Sequence, residues 1–340
     1  MLQKIFAWQV LPEKIKNYSN REKLEALIEI AGLAPSSHNT QPWLFKIFGS
    51  RIELLPNPER QLKQSDSENR QFFLSIGAAL ANLKLASQAF GFSFQEELSP
   101  LISPIAKVST LNFLNLEPKN INKVLLKSLY NRHSNRHPFI NMSLNENFIA
   151  SVKTKIPETL KLNIVNDITT KERLIEVTSE ATVTAFKNKK FTNELSKWIK
   201  PGLKKYKEGL VGYNIGIPWL ISLIIPWLTR HFPMHKMQKK MAVDMLKHAP
   251  IFMVLSVSLD NADSWVKAGE TFENIAVLAE ENNIKVGVFA APIETGEYFK
   301  KLQQILKITA RPVMLFRLGY TNKVPRFSPR IPFKKLIVGS

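Results

Sequence analysis

The chain has 340 residues, 44% of them hydrophobic and 22% charged, proportions typical of a folded protein with a large core. It contains no cysteine, which excludes disulfides, thiolate metal ligands and a cysteine nucleophile. The formal net charge of +19 would suit nucleic acid, but the segment 187–240 alone carries +10, from twelve Lys or Arg and two Glu. No DNA- or RNA-binding motif accompanies it, so we expect no nucleic-acid partner. The apolar stretch at 1–8 is too short for a signal peptide, and a cytoplasmic location is the default expectation.

Hydrophobic periodicity predicts helices and strands in irregular succession. The first part of the chain has predicted helices at 21–33, 69–90 and 118–130 and predicted strands at 43–48, 51–55 and 106–114. The second part has predicted helices at 145–155, 171–186, 262–281 and 297–306 and predicted strands at 160–165, 251–259, 286–289 and 312–318. Because strands and helices do not alternate regularly, as they would in a doubly wound sheet, the predicted fold class is α+β.

Two polar segments stand out in this succession. The first, 34–43, reads APSSHNTQPW and follows the first predicted helix. Such a run can end a helix, but this one holds more hydrogen-bonding side chains than a cap requires. Its His38 is predicted to be structural, since no acidic partner is near in sequence.

The second polar segment, 132–136, reads RHSNR and follows the helix predicted at 118–130. Alternate residues of an extended backbone share a face, so Arg132, Ser134 and Arg136 could converge on one anion. A solvated basic loop is the alternative. One segment can bond a polyhydroxylated chain and the other can bind a phosphate, and together they suit flavin mononucleotide, FMN.

Other features concern symmetry, the C-terminal region and absent motifs. The pattern of 77–85 returns at 269–277, which suggests an internal repeat at an offset of 192 residues.

A strand-to-helix turn is predicted at 291–296, and the proline-stiffened arm at 326–332 offers cationic donors. GxGxxG, P-loop, HExxH and GxSxG motifs are absent, and the six histidines show no metal-ligand spacing. We therefore predict chemistry from an organic cofactor, with no metal and no catalytic side chain.

Taken in order, APSSHNTQPW, GAALANLKLA, RHSNRHPF, the helix from Trp265, API-ETG and LGY…SPRIP resemble the nitroreductase family of flavin enzymes. The likeness is greatest to its Acg-type branch, which has two fused nitroreductase-like halves. It covers most of the chain from Arg21 and is weakest at 187–240. The resemblance implies a nitroreductase-like fold with an N-terminal half at 1–130. The C-terminal half would occupy 131–340 and carry a basic and apolar lid insert at 187–240.

Homodimers of that family, the resemblance implies, hold each FMN between two subunits. One subunit supplies the Arg-x-Ser-x-Arg motif, and the other supplies the Pro-Ser-Ser-x-Asn loop. Because each half of this chain carries only one of these motifs, a single chain should mimic the dimer. It should hold one complete FMN site, with the opposite site degenerate. The expected assembly is a monomer or a homodimer.

The resemblance also implies which residues contact the cofactor. They are Arg132, His133, Ser134, Arg136, Pro35, Ser36, Ser37, Asn39, Pro292, Ile293, Glu294 and Arg330. Arg132, Ser134 and Arg330 would hold the phosphate. Arg136 would lie near the N1/O2 edge of the flavin, and the residues from 292 to 294 would lie along its ring. The loop residues from 35 to 39 would contact the cofactor from the other half.

The insert contains 21 consecutive residues without a charge, 209–229, with three glycines and two prolines. That length approaches a membrane span, but these glycines and prolines make a spanning helix poor. We predict a lid helix over the flavin, with peripheral membrane contact through 209–230 as the alternative.

Two functions are consistent with these features. The first is an FMN-dependent oxidoreductase that passes hydride from NADH or NADPH to a small-molecule electron acceptor, nitroaromatic or quinone-like. The alternative is a protein that stores or sequesters FMN with little turnover.

Overall fold

The computed structural model describes residues 13–101, 103, 105–201, 206–212, 219–323 and 326–339, with Trp219 described by its backbone alone. The start of the chain considered above, 1–8, lies outside these residues, as does 213–218 of the insert. The helices are α1 (Asn20–Ala31), α2 (Arg70–Phe90), α3 (Lys123–Asn131), α4 (Glu146–Lys153), α5 (Ile168–Lys187), α6 (Lys189–Trp198), α7 (Trp219–Ser222), α8 (Ile225–His231), α9 (His235–Lys247), α10 (Ala262–Glu281), α11 (Ala291–Glu294) and α12 (Tyr298–Leu306). The strands are β1 (Trp43–Phe48), β2 (Arg51–Pro56), β3 (Ser93–Leu98), β4 (Ser109–Asn115), β5 (Leu160–Val165), β6 (Ile199–Lys200), β7 (Leu210–Val211), β8 (Ile251–Val257), β9 (Lys285–Val288) and β10 (Arg311–Gly319).

Two antiparallel sheets organise these elements. The first has the strand order β1-β2-β4-β3, and the second has the order β5-β8-β10-β9. Antiparallel sheets with helices gathered around them define the α+β class, so that prediction is confirmed. The sequence patterns missed β3, whose residues are SFQEEL. It is an edge strand with mostly exposed and half-buried side chains, and it therefore lacks the apolar alternation that marks a strand.

The helices α2 and α10 cross at two glycines. A Cβ added to Gly77 would lie 1.9 Å from the carbonyl oxygen of Val266, and one added to Gly269 would lie 2.0 Å from that of Leu74. Leu74 and Val266, like Gly77 and Gly269, are 192 residues apart in sequence. The crossing is therefore reciprocal at the offset of the sequence repeat. One hydrophobic core includes residues of α2, α10 and both sheets.

Segments distant in sequence extend both sheets. Near the C-terminus, Leu336 accepts a hydrogen bond from the backbone N–H of Phe45 on β1 at 2.7 Å, and Val338 donates one to the Phe45 carbonyl at 2.8 Å. On the second sheet, the N–H of Asn135 donates to the Val286 carbonyl on β9 at 2.7 Å. Residues 336–338 thus lie on the first sheet, and the segment 132–136 lies against the second.

The described part of the insert is formed by α6, β6, β7, α7, α8 and α9, and it contacts the N-terminal part of the chain. The carbonyl of Lys207 accepts a hydrogen bond from the Gln41 side chain at 2.8 Å, and Glu208 forms an ion pair with Arg60 at 2.6 Å. The side chain of Leu223 is 40% exposed and that of Trp227 is 56% exposed. Across the described ranges, every helix is too short or too polar to cross a membrane.

Candidate functional site

Two adjoining cavities lie where the two polar segments meet. The arginine cavity is lined by Leu33, Pro35, Ser36, Asn39, Tyr130, Arg132, His133, Ser134, Arg136, Leu210, Phe327, Ser328 and Arg330. The apolar cavity is lined by Pro35, Ser36, Ser37, His38, Gln71, Leu74, Ser75, Ala78, Ser134, Asn135, Arg136, Phe272, Val288, Ala290 and Met314. Four residues line both cavities: Pro35, Ser36, Ser134 and Arg136. The structure thus brings nine of the twelve sequence-predicted site residues to one continuous wall.

Arg132 and Arg330 lie side by side in the arginine cavity. Some of the N–H donors of each guanidinium group are already bonded to other protein groups. Arg132 Nε pairs with Glu273 Oε1 at 2.7 Å, and its Nη2 donates to the Leu33 carbonyl at 3.0 Å. Arg330 donates to Asn39 Oδ1 at 2.9 Å and to the same Leu33 carbonyl at 2.8 Å. Burial, reinforced by the neighbouring Arg132, lowers the pKa of Arg330 to about 9. Its Nε is buried, and among the described residues it meets no hydrogen-bond acceptor.

Arg136 differs from these two arginines because its charge is uncompensated. Its side chain is exposed and contributes to the walls of both cavities. Within the described ranges, no carboxylate lies at ion-pair distance from it. Lying at the junction of two cavities and paired with no described carboxylate, this guanidinium group is available to an anionic ligand.

The 132–136 segment reaches the cavity as extended backbone. Ser134 forms a parallel bridge with Val286 at the edge of the second sheet. Between the two arginines, His133 packs its ring edge-on against Phe327, and its Nδ1 contacts the Asn131 carbonyl. Burial lowers the pKa of His133 to about 4, so this imidazole is neutral at pH 7.

The 34–43 segment is a tight loop with unusual backbone angles. His38, Asn39 and Gln41 have φ values of 52°, 57° and 54°, the left-handed region that Asn tolerates better than most residues. The Asn39 amide donates to the carbonyls of Pro329 at 2.9 Å and Gly209 at 3.2 Å, tying the loop to the C-terminal arm and the insert. Ser37 Oγ donates to Gln71 Oε1 at 3.2 Å.

His38 lines the apolar cavity, and its buried Nε2 has no hydrogen-bond partner in the part of the chain that the structure describes. Burial lowers its pKa to about 4, with Glu194 opposing and Arg136 reinforcing the effect. The imidazole is therefore neutral at pH 7. Its ring lies edge-on to Phe191 of the insert, at 6.5 Å between centroids.

Pro292, Ile293 and Glu294, which the resemblance places along the flavin ring, line neither cavity. The short helix α11 turns Ile293 into the second hydrophobic core, where it is 1% exposed. The wall position is taken instead by Ala290, just before that helix. Glu294 forms an ion pair with Arg70 at 3.2 Å and accepts from Gln71 Nε2 at 3.1 Å, so it reaches the cavity only through Gln71.

The sequence patterns did not identify two charged residues that lie behind the site. Glu273 on α10 is wholly buried against Arg132. Arg317 on β10 is also buried and donates to the carbonyls of His137 at 2.7 Å and Asn135 at 3.3 Å, which fixes the segment around Arg136. A charge on the apolar face of a periodic helix or strand was the available signal, because such a charge needs a partner.

Comparisons with known proteins agree with this arrangement. A model described as the nitroreductase family matches residues 16–68, which include α1, the 34–43 loop, β1 and β2. The Mycobacterium tuberculosis protein Rv3131, assigned by name to the NAD(P)H nitroreductases, is 26% identical over 123 residues, covering 36% of each chain. The match therefore spans about a third of that relative's length. A second protein of that organism, Rv3127, is 22% identical over 326 residues, covering 92% of each chain.

Among solved structures, the FMN and NADPH-dependent nitroreductase NfnB from sphigopyxis sp. strain HMH overlaps with a TM-score of 0.44 at 13% identity. The overlap covers 64% of this chain and 98% of that one. The family-model match falls on the loop that lines both cavities, and the similarity to Rv3127 continues along nearly the whole chain. The chain is thus similar to the nitroreductase family at residues 16–68, and to Rv3127 along nearly its whole length.

Proposed function

We propose that the chain is an FMN-dependent oxidoreductase that passes hydride from NADH or NADPH to a small-molecule acceptor, nitroaromatic or quinone-like. The observation that supports it best is the pair of joined cavities. One has cationic donors, and the other combines polar residues with an apolar side that includes Leu74, Phe272 and Met314. A phosphate requires the first kind of surface and a flat aromatic ring requires the second.

The residues present fit FMN. In the arginine cavity, the unpartnered Arg330 Nε and the remaining donors of Arg132 and Ser134 would hold the phosphate. Arg136, at the junction, would place positive charge against the ring. When bound, the flavin supplies the redox chemistry. The chain's contribution is to orient the cofactor and to stabilise negative charge, and no described side chain is needed as a general acid.

The same proposal includes an internal duplication, with halves at 1–130 and 131–340 and an insert at 187–240. The reciprocal crossing of Gly77 and Gly269 at an offset of 192 residues supports it. So does the pairing of residues 336–338, which belong to the proposed second half, with Phe45 on β1 of the first sheet. In this view one chain holds one FMN between its halves.

The storage alternative is favoured by one observation. Leu210 of the insert lines the arginine cavity, and neighbouring insert residues are hydrogen-bonded to Asn39 and Gln41. An insert held this firmly could keep nicotinamide away from the ring. Peripheral membrane contact through 209–230 stays a prediction.

An absorption spectrum followed by anaerobic reduction tests both functions. Purified protein, or protein mixed with FMN and desalted, is expected to be yellow with flavin absorption bands. Addition of NADPH or NADH without oxygen should bleach those bands within seconds, and an added nitroaromatic or quinone should restore them. Lasting colour after both nicotinamides would support storage instead. Protein that takes up no FMN would refute both functions.

A further inference from the structure

The inference concerns Glu273, a carboxylate enclosed behind the arginine cavity. Glu273 lies on α10 with none of its surface exposed, and its Oε1 is 2.7 Å from Arg132 Nε. With the Asn82 amide oriented to satisfy both of its ends, Asn82 Nδ2 donates to the same Oε1 at 3.0 Å, and its oxygen accepts from the Ala34 N–H at 3.1 Å. The second oxygen, Oε2, is buried, and no described residue donates a hydrogen bond to it.

The groups that face Glu273 come from three other elements. Arg132 follows α3, Arg330 belongs to the C-terminal arm, and Asn82 is on α2. Both arginines line the arginine cavity, and Glu273 does not. The carboxylate and a ligand phosphate would therefore approach the same Arg132 guanidinium from opposite sides. Two anions that share one cation in a buried setting repel each other, because little solvent screens them.

We propose that Glu273 couples binding of the phosphate-bearing flavin to uptake of one proton, which neutralises Glu273 as the phosphate takes over Arg132. This inference rests on the proposed FMN site. The proton bonds to one carboxylate oxygen of Glu273 and comes from the solvent, and no other bond changes. Glu273 is thus a positioning residue: it holds Arg132 in place before the phosphate arrives and yields to it afterwards.

The direction of the effect follows from the surroundings of Glu273. Burial raises its pKa to about 7, while Arg132, Arg330 and Asn82 act in the opposite direction. A nearby phosphate raises this pKa further, so the complex holds more protons than the free protein at pH 7–8. Linkage then requires affinity to fall as pH rises through that range. The second pKa of the phosphate itself is near 6, so its ionisation changes little between pH 7 and 8. The small gain in negative charge as pH rises would strengthen binding, which is opposite to the expected effect of Glu273.

The test compares FMN with riboflavin, which shares the ring but lacks the phosphate. Dissociation constants are measured by quenching of flavin fluorescence from pH 6.5 to 8.5. FMN is expected to bind about ten-fold more weakly at the upper end, as a shift of more than one pKa unit implies. Riboflavin should bind more weakly than FMN, with little dependence on pH. His133 stays neutral across this range, since its pKa is lowered to about 4, and does not confound the result.

Two variants isolate the residue. Glu273→Gln has the shape of the protonated side chain, and it should abolish the pH dependence while retaining tight FMN binding at pH 8.5. Glu270→Gln is the matched control: Glu270 is buried on the same helix but pairs with Lys84 and Lys267, away from the cavities. That variant should keep the ten-fold change with pH.

Calorimetry gives a second readout that needs no variant. FMN binding to the unaltered protein at pH 7.5, in two buffers of different ionisation heat, should show net uptake of roughly half a proton or more, and riboflavin should show none. FMN binding with no pH dependence and no proton uptake would overturn this inference and leave the cofactor site intact. Failure to bind FMN at any pH would instead remove the proposed function.

Discussion

At the residue scale, the site depends on which cationic donors the protein leaves free. Arg132 and Arg330 already donate to the Leu33 carbonyl, and each has a further protein partner in Glu273 or Asn39. Arg136 has no carboxylate partner within the part of the chain that the structure describes. It therefore loses no ion pair with a described residue when a ligand binds. We expect it to contribute more to cofactor binding than its neighbours.

Replacing Arg136 with alanine tests this expectation. Hydrogen bonds from a charged group contribute about 1.5–3 kcal/mol each, so Arg136→Ala should weaken FMN binding by roughly ten- to a hundred-fold. Stability should change little, because the side chain is exposed and makes no ion pair within the described residues. Titration of flavin fluorescence and thermal unfolding measure the two effects. Arg51→Ala, which removes an exposed arginine on β2 far from the cavities, should leave both values unchanged. Equal affinity for the Arg136 variant and the unaltered protein would contradict this role.

At the scale of elements, local pattern predicted where helices and strands occur, while packing determined which way they face. The helix predicted at 262–281 and the strand at 43–48 have the predicted bounds. The resemblance implies that residues 292–294 lie along the ring, and in the structure one helical turn buries Ile293 in the second hydrophobic core. A four-residue helix has too little periodicity to reveal its buried side from sequence.

The crossing of α2 and α10 gives the prediction at this scale. Gly77→Ala and Gly269→Ala each place a methyl group about 2 Å from a backbone carbonyl oxygen, so the helices must separate. Overpacking of this kind lowers the free energy of unfolding by about 1–3 kcal/mol, and by more where the added group clashes with backbone rather than with a side chain. Each variant should lose at least that much free energy of unfolding, measured with denaturant, and bind FMN more weakly.

Gly32→Ala is the matched control for that loss. Its added methyl group would meet the tip of the Leu336 side chain at 3.2 Å, a contact that can adjust. A change below about 1 kcal/mol is expected, because alanine also lowers the entropy of the unfolded chain. Stabilities of the Gly77 and Gly269 variants within that same margin would show that the helices do not require the glycines.

At the scale of the whole molecule, the proposed halves, 1–130 and 131–340, carry different parts of the candidate site. The first half supplies the 34–43 loop, and the second supplies the 132–136 segment against its own sheet. The halves share one hydrophobic core, so they are expected to unfold together. Complementary halves around a shared core would make one complete site per chain.

Stoichiometry tests this complementarity. Equilibrium titration with FMN, combined with the mass of the complex measured by light scattering, should give one FMN per chain whether the protein is a monomer or a homodimer. Arg136→Ala should lower the affinity without changing that number. Two flavins per chain would show that both symmetry-related positions are intact. One flavin per two chains would place the site between molecules instead.

Most helices and strands outside the insert, the loop at 34–43 and the motif at 132–136 could be predicted from the sequence, because each depends on neighbours a few residues away. The enclosure of Glu273 by Arg132 and Arg330, the burial of Ile293 and the pairing of Leu336 with Phe45 could not, because each joins positions far apart in the chain or depends on packing. Hydrophobic periodicity indicates that a residue is buried, but it does not indicate which residues it contacts. The contacting residues are set only when the sheets and the crossed helices pack together. Here they determine the charge around the site.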